Sequence, residues 1–412
     1  MNSETNHNHD KSESNPSESL TNDEITKYNE DPIIVHFSGH GAASDLVLDK
    51  NKVKDITSLL SNLGSLYQIN GNYPEAIKYN MVILDACHSG QNKDVEAGTL
   101  ANLGAIYESM GEYQKAIEHS QESLLVAREI GDRQAEGSAL GNLGVTYQSL
   151  GQYERAIDFF QQHLMIAQEI EDRRSVGNAL GNLGVTYQSL GQYERAIDFF
   201  QQHLMIAQEI GDRQAEGSAL GNLGITYQSL GDYEQSTVLL EQQLMIAREI
   251  GDRQAEGSVL VNLGNSYQYQ NQYDLAESLY LQALELKGEL FGETHPEVAQ
   301  ALNNLATLYD SQGRYNEAQN LYLKALKLRR EVLGDDHPDV AISLNNLATL
   351  YSSQGLYSEA EPLYLRALEI IRRQLGEDHP GVRITLENLE KLYEFQRTHR
   401  EVPRDNNSVG AD

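Results

Sequence analysis

The chain has 412 residues, 61 of them acidic and 31 basic, for a formal net charge of −30, with 40% apolar residues and a single cysteine. Phosphate binding runs on clustered Lys and Arg, so this balance excludes nucleic acid and anionic membrane surfaces as expected partners. One cysteine permits neither an internal disulfide nor a Cys-rich zinc site, and no run approaches the roughly 18 apolar residues of a membrane span. The polar N-terminus shows no leader pattern, so a cytoplasmic protein without cofactor or metal is expected.

In chain order, residues 1–31 hold eight acids and two bases among Asn, Ser and Thr. Such a stretch buries too little to offset its ordering entropy, which predicts a disordered acidic tail. His7 and His9 lie there and read as solvated side chains, since no further ligand accompanies them. Residues 32–57 contain the run Ile-Ile-Val-His-Phe-Ser-Gly-His-Gly over 33–41, a β-branched segment followed by a turn at His40. A short extended segment is expected around 32–49.

From residue 58 the sequence repeats. An Asn-Leu step recurs every 40 residues at Asn62, Asn102, Asn142, Asn182, Asn222 and Asn262, then every 42 at Asn304, Asn346 and Asn388. Residues 139–170 and 179–210 are identical over all 32 positions. Within one period, Leu140, Leu143, Gly144 and Tyr147 fall on one helical face and Gly151 breaks that helix. Tyr153, Ala156, Ile157, Phe160, Leu164 and Ala167 then form a second stripe. Small residues at Gly144 and Ala156 suit a close helix–helix approach. Loops at Gly131, Gly211 and Gly251 lead onward, and His295-Pro296, His337-Pro338 and His379-Pro380 replace them later as cap-and-turn pairs. Periods of this length predict a solenoid of stacked helix pairs.

The recurring Leu, Gly/Ala, Tyr, Gly, Tyr, Ala and Leu positions over 58–395 resemble the tetratricopeptide repeat. The 40-residue units (58–297) look like those of spindle-orientation adaptors, and the 42-residue units (298–395) look like those of kinesin light chains. The resemblance implies an all-α, right-handed superhelix of about eight helix pairs with a closing helix at 382–395, ending in a polar tail over 396–412.

It also implies a concave groove lined by the first helix of each pair. Asn can both donate to and accept from a peptide backbone, so Asn142, Asn182, Asn222, Asn262, Asn304 and Asn346 are candidate partner contacts. Asn304 and Asn346 match the light-chain positions that meet cargo. The other role open to these side chains is bracing adjacent pairs. Four residues earlier, where adaptors often carry a basic residue, stand Ser138, Asn178, Ser218 and Ser258. An uncharged groove on an acidic chain suits a neutral or cationic protein segment. Arg133, Arg173, Arg213 and Arg253 at the loops either form a positive edge or are spent locally, capping helices or pairing with nearby acids.

A second resemblance lies outside the repeat pattern. The run at 33–41 and the run Val-Ile-Leu-Asp-Ala-Cys-His-Ser-Gly at 82–90 resemble the His and Cys motifs of caspase-like and CHAT peptidases. That family implies His40 as base and Cys87 as nucleophile, 47 residues apart, the base lowering the thiol pKa and taking its proton. Leu60 to Tyr79 between them, however, reads as a first repeat, with Asn62, Leu63, Gly64, Tyr67, Gly71, Tyr73 and Ala76 in place. In register, Cys87 falls with Ala127, Ala167, Ala207 and Ala247, a small packing position, whereas Asp85 and Gly90 fall awkwardly with Leu125 and Ile130. The favoured function is a non-enzymatic scaffold. The alternative is a cysteine peptidase that uses the array for recognition or regulation.

Overall fold

A computed structural model describes residues 33–39, 42–48, 50–69, 72–90, 92–377 and 379–400. The tail expected over 1–31, with His7 and His9, lies outside the described residues, and so does His40. The chain divides into two units, Met1–Leu190 and Gly191–Asp412.

The first unit opens with a β-hairpin in place of a single extended segment. β1 (Ile33–Gly39) pairs antiparallel with β2 (Ala42–Leu48), from Ile33 opposite Leu48 to Gly39 opposite Ala42. Seven helices follow: α1 (Lys50–Ile69), α2 (Tyr73–Gly90), α3 (Lys93–Ser109), α4 (Tyr113–Ile130), α5 (Arg133–Ser149), α6 (Tyr153–Glu169) and α7 (Arg173–Ser189). α1 begins at Lys50, inside the stretch that also holds the hairpin, where Val53, Ile56 and Leu60 already keep helical spacing. β1 lies beside α2.

The second unit holds α8 (Tyr193–Ile210), α9 (Arg213–Leu230), α10 (Tyr233–Ile250), α11 (Arg253–Tyr269), α12 (Tyr273–Phe291), α13 (Pro296–Ser311), α14 (Tyr315–Leu333), α15 (Pro338–Ser353), α16 (Tyr357–Leu375) and α17 (Pro380–Arg400). In sequence the helices make eight pairs and a closing helix. That closing helix reaches Arg400, past the point where a polar tail is expected. In each unit successive helices pack on one another, and first helices also meet the next first helix: α3 with α5, and α9 with α11. Contacts restricted to neighbours define a solenoid.

Local chemistry sets the helix ends. Asp132, Asp172, Asp212 and Asp252 are N-caps, each accepting from the backbone N–H three residues on at 2.9–3.1 Å. His295, His337 and His379 accept through Nδ1 from the N–H two residues on, at 3.0–3.2 Å, with proline next in sequence. Gly131 takes φ +72°, ending α4 in the left-handed region. Glu171 occupies the equivalent place after α6 at φ +58°, a conformation that strains a residue with a Cβ.

The core follows the stripes read from the sequence. Phe160 is fully buried and lies against Gly144, where an added Cβ would come within 2.5 Å of its ring. Burying such a side chain contributes about 1.5–3 kcal/mol. Tyr280, Tyr322 and Tyr364 take the matching place in the later pairs and are buried to within 2% of complete.

Candidate functional site

The first helix of each pair supplies the polar ladder, and its members differ in what they already hold. Asn142 on α5 donates through Nδ2 to the Ala101 carbonyl of α3 at 2.8 Å, a brace between successive pairs. Asn182, Asn222 and Asn262 are half-buried. Their backbone carbonyls accept from Thr186, from Thr226 and from Gln228 Nε2, all at 2.7 Å. Asn304 on α13 accepts through Oδ1 from Gln300 Nε2 at 3.0 Å. Gln300 in turn accepts from Arg329 Nη2 at 2.6 Å. That chain orients Asn304 so that its Nδ2 protons are uncommitted among the described residues. Asn346 is half-buried on α15.

Among the described residues, a cleft opens along first helices in each unit. The first, about 390 Å³, is lined by Asn62 and Asn102 with Thr99 and Gly98. The second, about 420 Å³, is lined by Gln228 and Ser229 of α9, Asn265 and Gln268 of α11, and Asn304 and Thr307 of α13, with Tyr233, Tyr269 and Tyr280. Neither lining includes a Lys, Arg, Asp or Glu. The buried Tyr280 hydroxyl lies 2.7 Å from Asn265 Oδ1 and 3.0 Å from Gln268 Oε1, so its one proton is shared between the two amide oxygens. Burial pushes that phenol upward, so it stays a protonated donor. Sequence reasoning found Asn304 but missed the rest. The signal available was the change at 265, where Val145, Val185 and Ile225 give way to Asn.

The loop arginines Arg133, Arg213 and Arg253 are ion-paired. Arg133 bonds Glu136 and Glu169, Arg213 bonds Glu216 and Glu249, and Arg253 bonds Glu289 at 2.7 Å. Ser138, Ser218 and Ser258 donate back to carbonyls of their own helices at 3.0–3.2 Å.

Cys87 sits inside α2 with 2% of its surface exposed. Burial, and then the nearby Glu96 carboxylate, push its thiol up to about 11. All of 82–90 is helical, with Gly90 closing α2. Asp85 is not awkward there: its counterpart Leu125 is 68% exposed, so the position is a solvent position. The packing position of Cys87 carries Lys287 and Arg329 in later pairs. Both are buried and served by polar partners, Glu297 for the first and Ser343 for the second. Among the described residues no three His, Cys, Asp or Glu side chains gather in a metal-binding group, and no helix is long and apolar enough to cross a membrane.

A family model for the tetratricopeptide repeat matches residues 95–169, 175–250, 255–331, 311–370 and 339–401. No curated protein matches the chain. Among solved structures, the chain is similar to a Signal Transduction ATPase with Numerous Domains protein with a tetratricopeptide repeat sensor from Pyrococcus horikoshii. They are 18% identical, with a TM-score of 0.59 over 82% of this chain and 50% of that one. A Rap protein complexed with competence and sporulation factor is 15% identical, with a TM-score of 0.52 over 84% of this chain and 99% of that one. Similar too are the nearly identical repeats of a putative kinesin light chain from Podosopora anserina, at 22% identity and a TM-score of 0.41 over 48% of this chain and 95% of that one.

Proposed function

Because the chain belongs to the tetratricopeptide repeat family, we propose that it is a non-enzymatic scaffold that holds a protein or peptide segment along its first helices. The observation that carries this reading is the cleft on α9, α11 and α13, where amide, hydroxyl and phenol groups line one opening with no charged side chain among them. An extended segment presents one donor and one acceptor per residue, which such groups can match. A Rap protein of like fold is complexed with competence and sporulation factor, which supports the same use of the fold. Asn222, Asn262, Asn304 and Asn346 are the contacts proposed in the second unit, and Asn142 and Asn182 those in the first, Asn142 with a bracing duty as well.

The buried position and raised thiol of Cys87 favour the scaffold over the peptidase, since the nucleophile of a peptidase must be an accessible thiolate. The test is selection of random peptides on the intact chain, followed by binding to an Asn304→Ala, Asn346→Ala double variant. Losing two hydrogen bonds of about 0.5–1.5 kcal/mol each lowers affinity roughly 5- to 150-fold. Unchanged affinity would assign these asparagines to packing.

A further inference from the structure

Besides Asn265, the cleft departs from the equivalent positions of other pairs at a second residue. Ser109, Ser149, Ser189, Ser229, Ser311 and Ser353 occupy equivalent places two residues before the turn that ends the first helix. In the α11–α12 pair that place is Tyr269. Its ring stacks on Tyr233, with centroids 4.9 Å apart and planes within 10° of parallel, yet Tyr269 is 65% exposed. One face is therefore held by Tyr233 and the other is open to the cleft and solvent.

The two polar groups that α9 brings to the cleft present acceptors, while Asn304 Nδ2, also in the lining, is left as a donor for a backbone carbonyl of the segment. Ser229 donates its hydroxyl proton to the Ile225 carbonyl at 3.1 Å, so toward a ligand it offers lone pairs. Gln228 Nε2 is engaged by the Asn262 carbonyl at 2.7 Å and by Ser266 Oγ at 2.6 Å, which leaves Oε1 as the available end. Acceptors and an open π face, without a cation in the lining and on a chain of net charge −30, describe a receptor for a positive group.

We propose that this cleft anchors a basic side chain of the bound segment, arginine in preference to lysine, with the guanidinium lying on Tyr269 and donating to Ser229 Oγ and Gln228 Oε1. The planar guanidinium both stacks and donates in several directions, whereas an ammonium is a compact, strongly hydrated point charge. The assignment rests on the reading of the array as a peptide-binding groove and names the chemistry of its occupant.

The test is the same random-peptide selection on the full chain, read for composition and repeated with Tyr269→Ser and Tyr269→Phe. Serine is what six other pairs carry, so Tyr269→Ser keeps the fold, which circular dichroism checks. Selected peptides are expected to share an arginine. Tyr269→Ser should weaken them roughly three- to tenfold, Tyr269→Phe should retain binding, and replacing the arginine by citrulline should match the loss from the serine variant. Peptides selected without a basic residue, or indifferent to Tyr269→Ser, would overturn the anchor while leaving the groove reading in place. A selection that returns no binding peptide would overturn both.

Discussion

Cys87 allows the sharpest separation of scaffold from peptidase. Its thiol is raised from an ordinary 9.0 to about 11, chiefly because burial disfavours the anion. Only the thiolate attacks, so a rise of two pH units leaves about one hundredth of the usual thiolate at neutral pH. With 2% of the residue exposed, a bulky reagent also has to wait for α2 to open. The rate of labelling by a small disulfide reagent, followed from neutral pH to about 10 in native and denatured protein, reads both effects. The native rate should be at least about a hundredfold below the denatured one and should keep climbing with pH, with no plateau near 8.5. It should be unchanged in His40→Ala. A fast native reaction that levels off at or below 8.5 and drops in His40→Ala would refute the packing assignment and restore the dyad.

Three further outcomes follow from the packing. Gly144→Ala places a Cβ 2.5 Å from the Phe160 ring, and denaturant unfolding should show a loss of about 1–3 kcal/mol. Glu171→Gly relieves the positive φ of 58° and should raise stability by up to about 1 kcal/mol in the same assay. His163 and His203 are buried with an unpartnered Nδ1, and burial lowers both pKa values below 6.5, with Asp172 and Asp212 pulling weakly the other way. The unfolded chain then takes the proton first, so their contribution is complete above 6.5 and is lost as the pH falls below it. The paired variant His163→Gln, His203→Gln copies Gln243, the residue at the matching place in a later pair, and should flatten the fall in melting temperature between 6.5 and about 5.5.

The helix pairs were legible because period, breaker and cap lie within one repeat. Asp132 and its counterparts, Gly131, and the His-Pro steps are local signals, and each does in space what its spacing implies. The arginine–glutamate pairs were legible as one of two options, since acids lie within reach on the paired helix. The β-hairpin was read only as an extended segment, because pairing between 33–39 and 42–48 is set by backbone register rather than by side-chain periodicity. The apparent misfit of Asp85 came from reading Leu125 as a core residue, when the exposed flank of the second helix tolerates either. The cleft was hidden for a further reason: its members come from three first helices about 40 residues apart, with Tyr233 and Tyr280 added from two second helices. No single repeat contains it. Asn265 and Tyr269 were visible as breaks in the pattern, but only packing shows that both face the same opening.

The central claim is that first helices, and the α9–α11–α13 cleft in particular, hold the partner segment. The most direct test attaches a benzophenone to a selected peptide, irradiates the complex with the intact chain, and maps the adducts by mass spectrometry. Adducts at Gln228–Ser229, Asn265–Tyr269 and Asn304–Thr307 are predicted. Adducts confined to residues of the second helices α10, α12 and α14 outside the cleft, away from Tyr233 and Tyr280, would contradict the account.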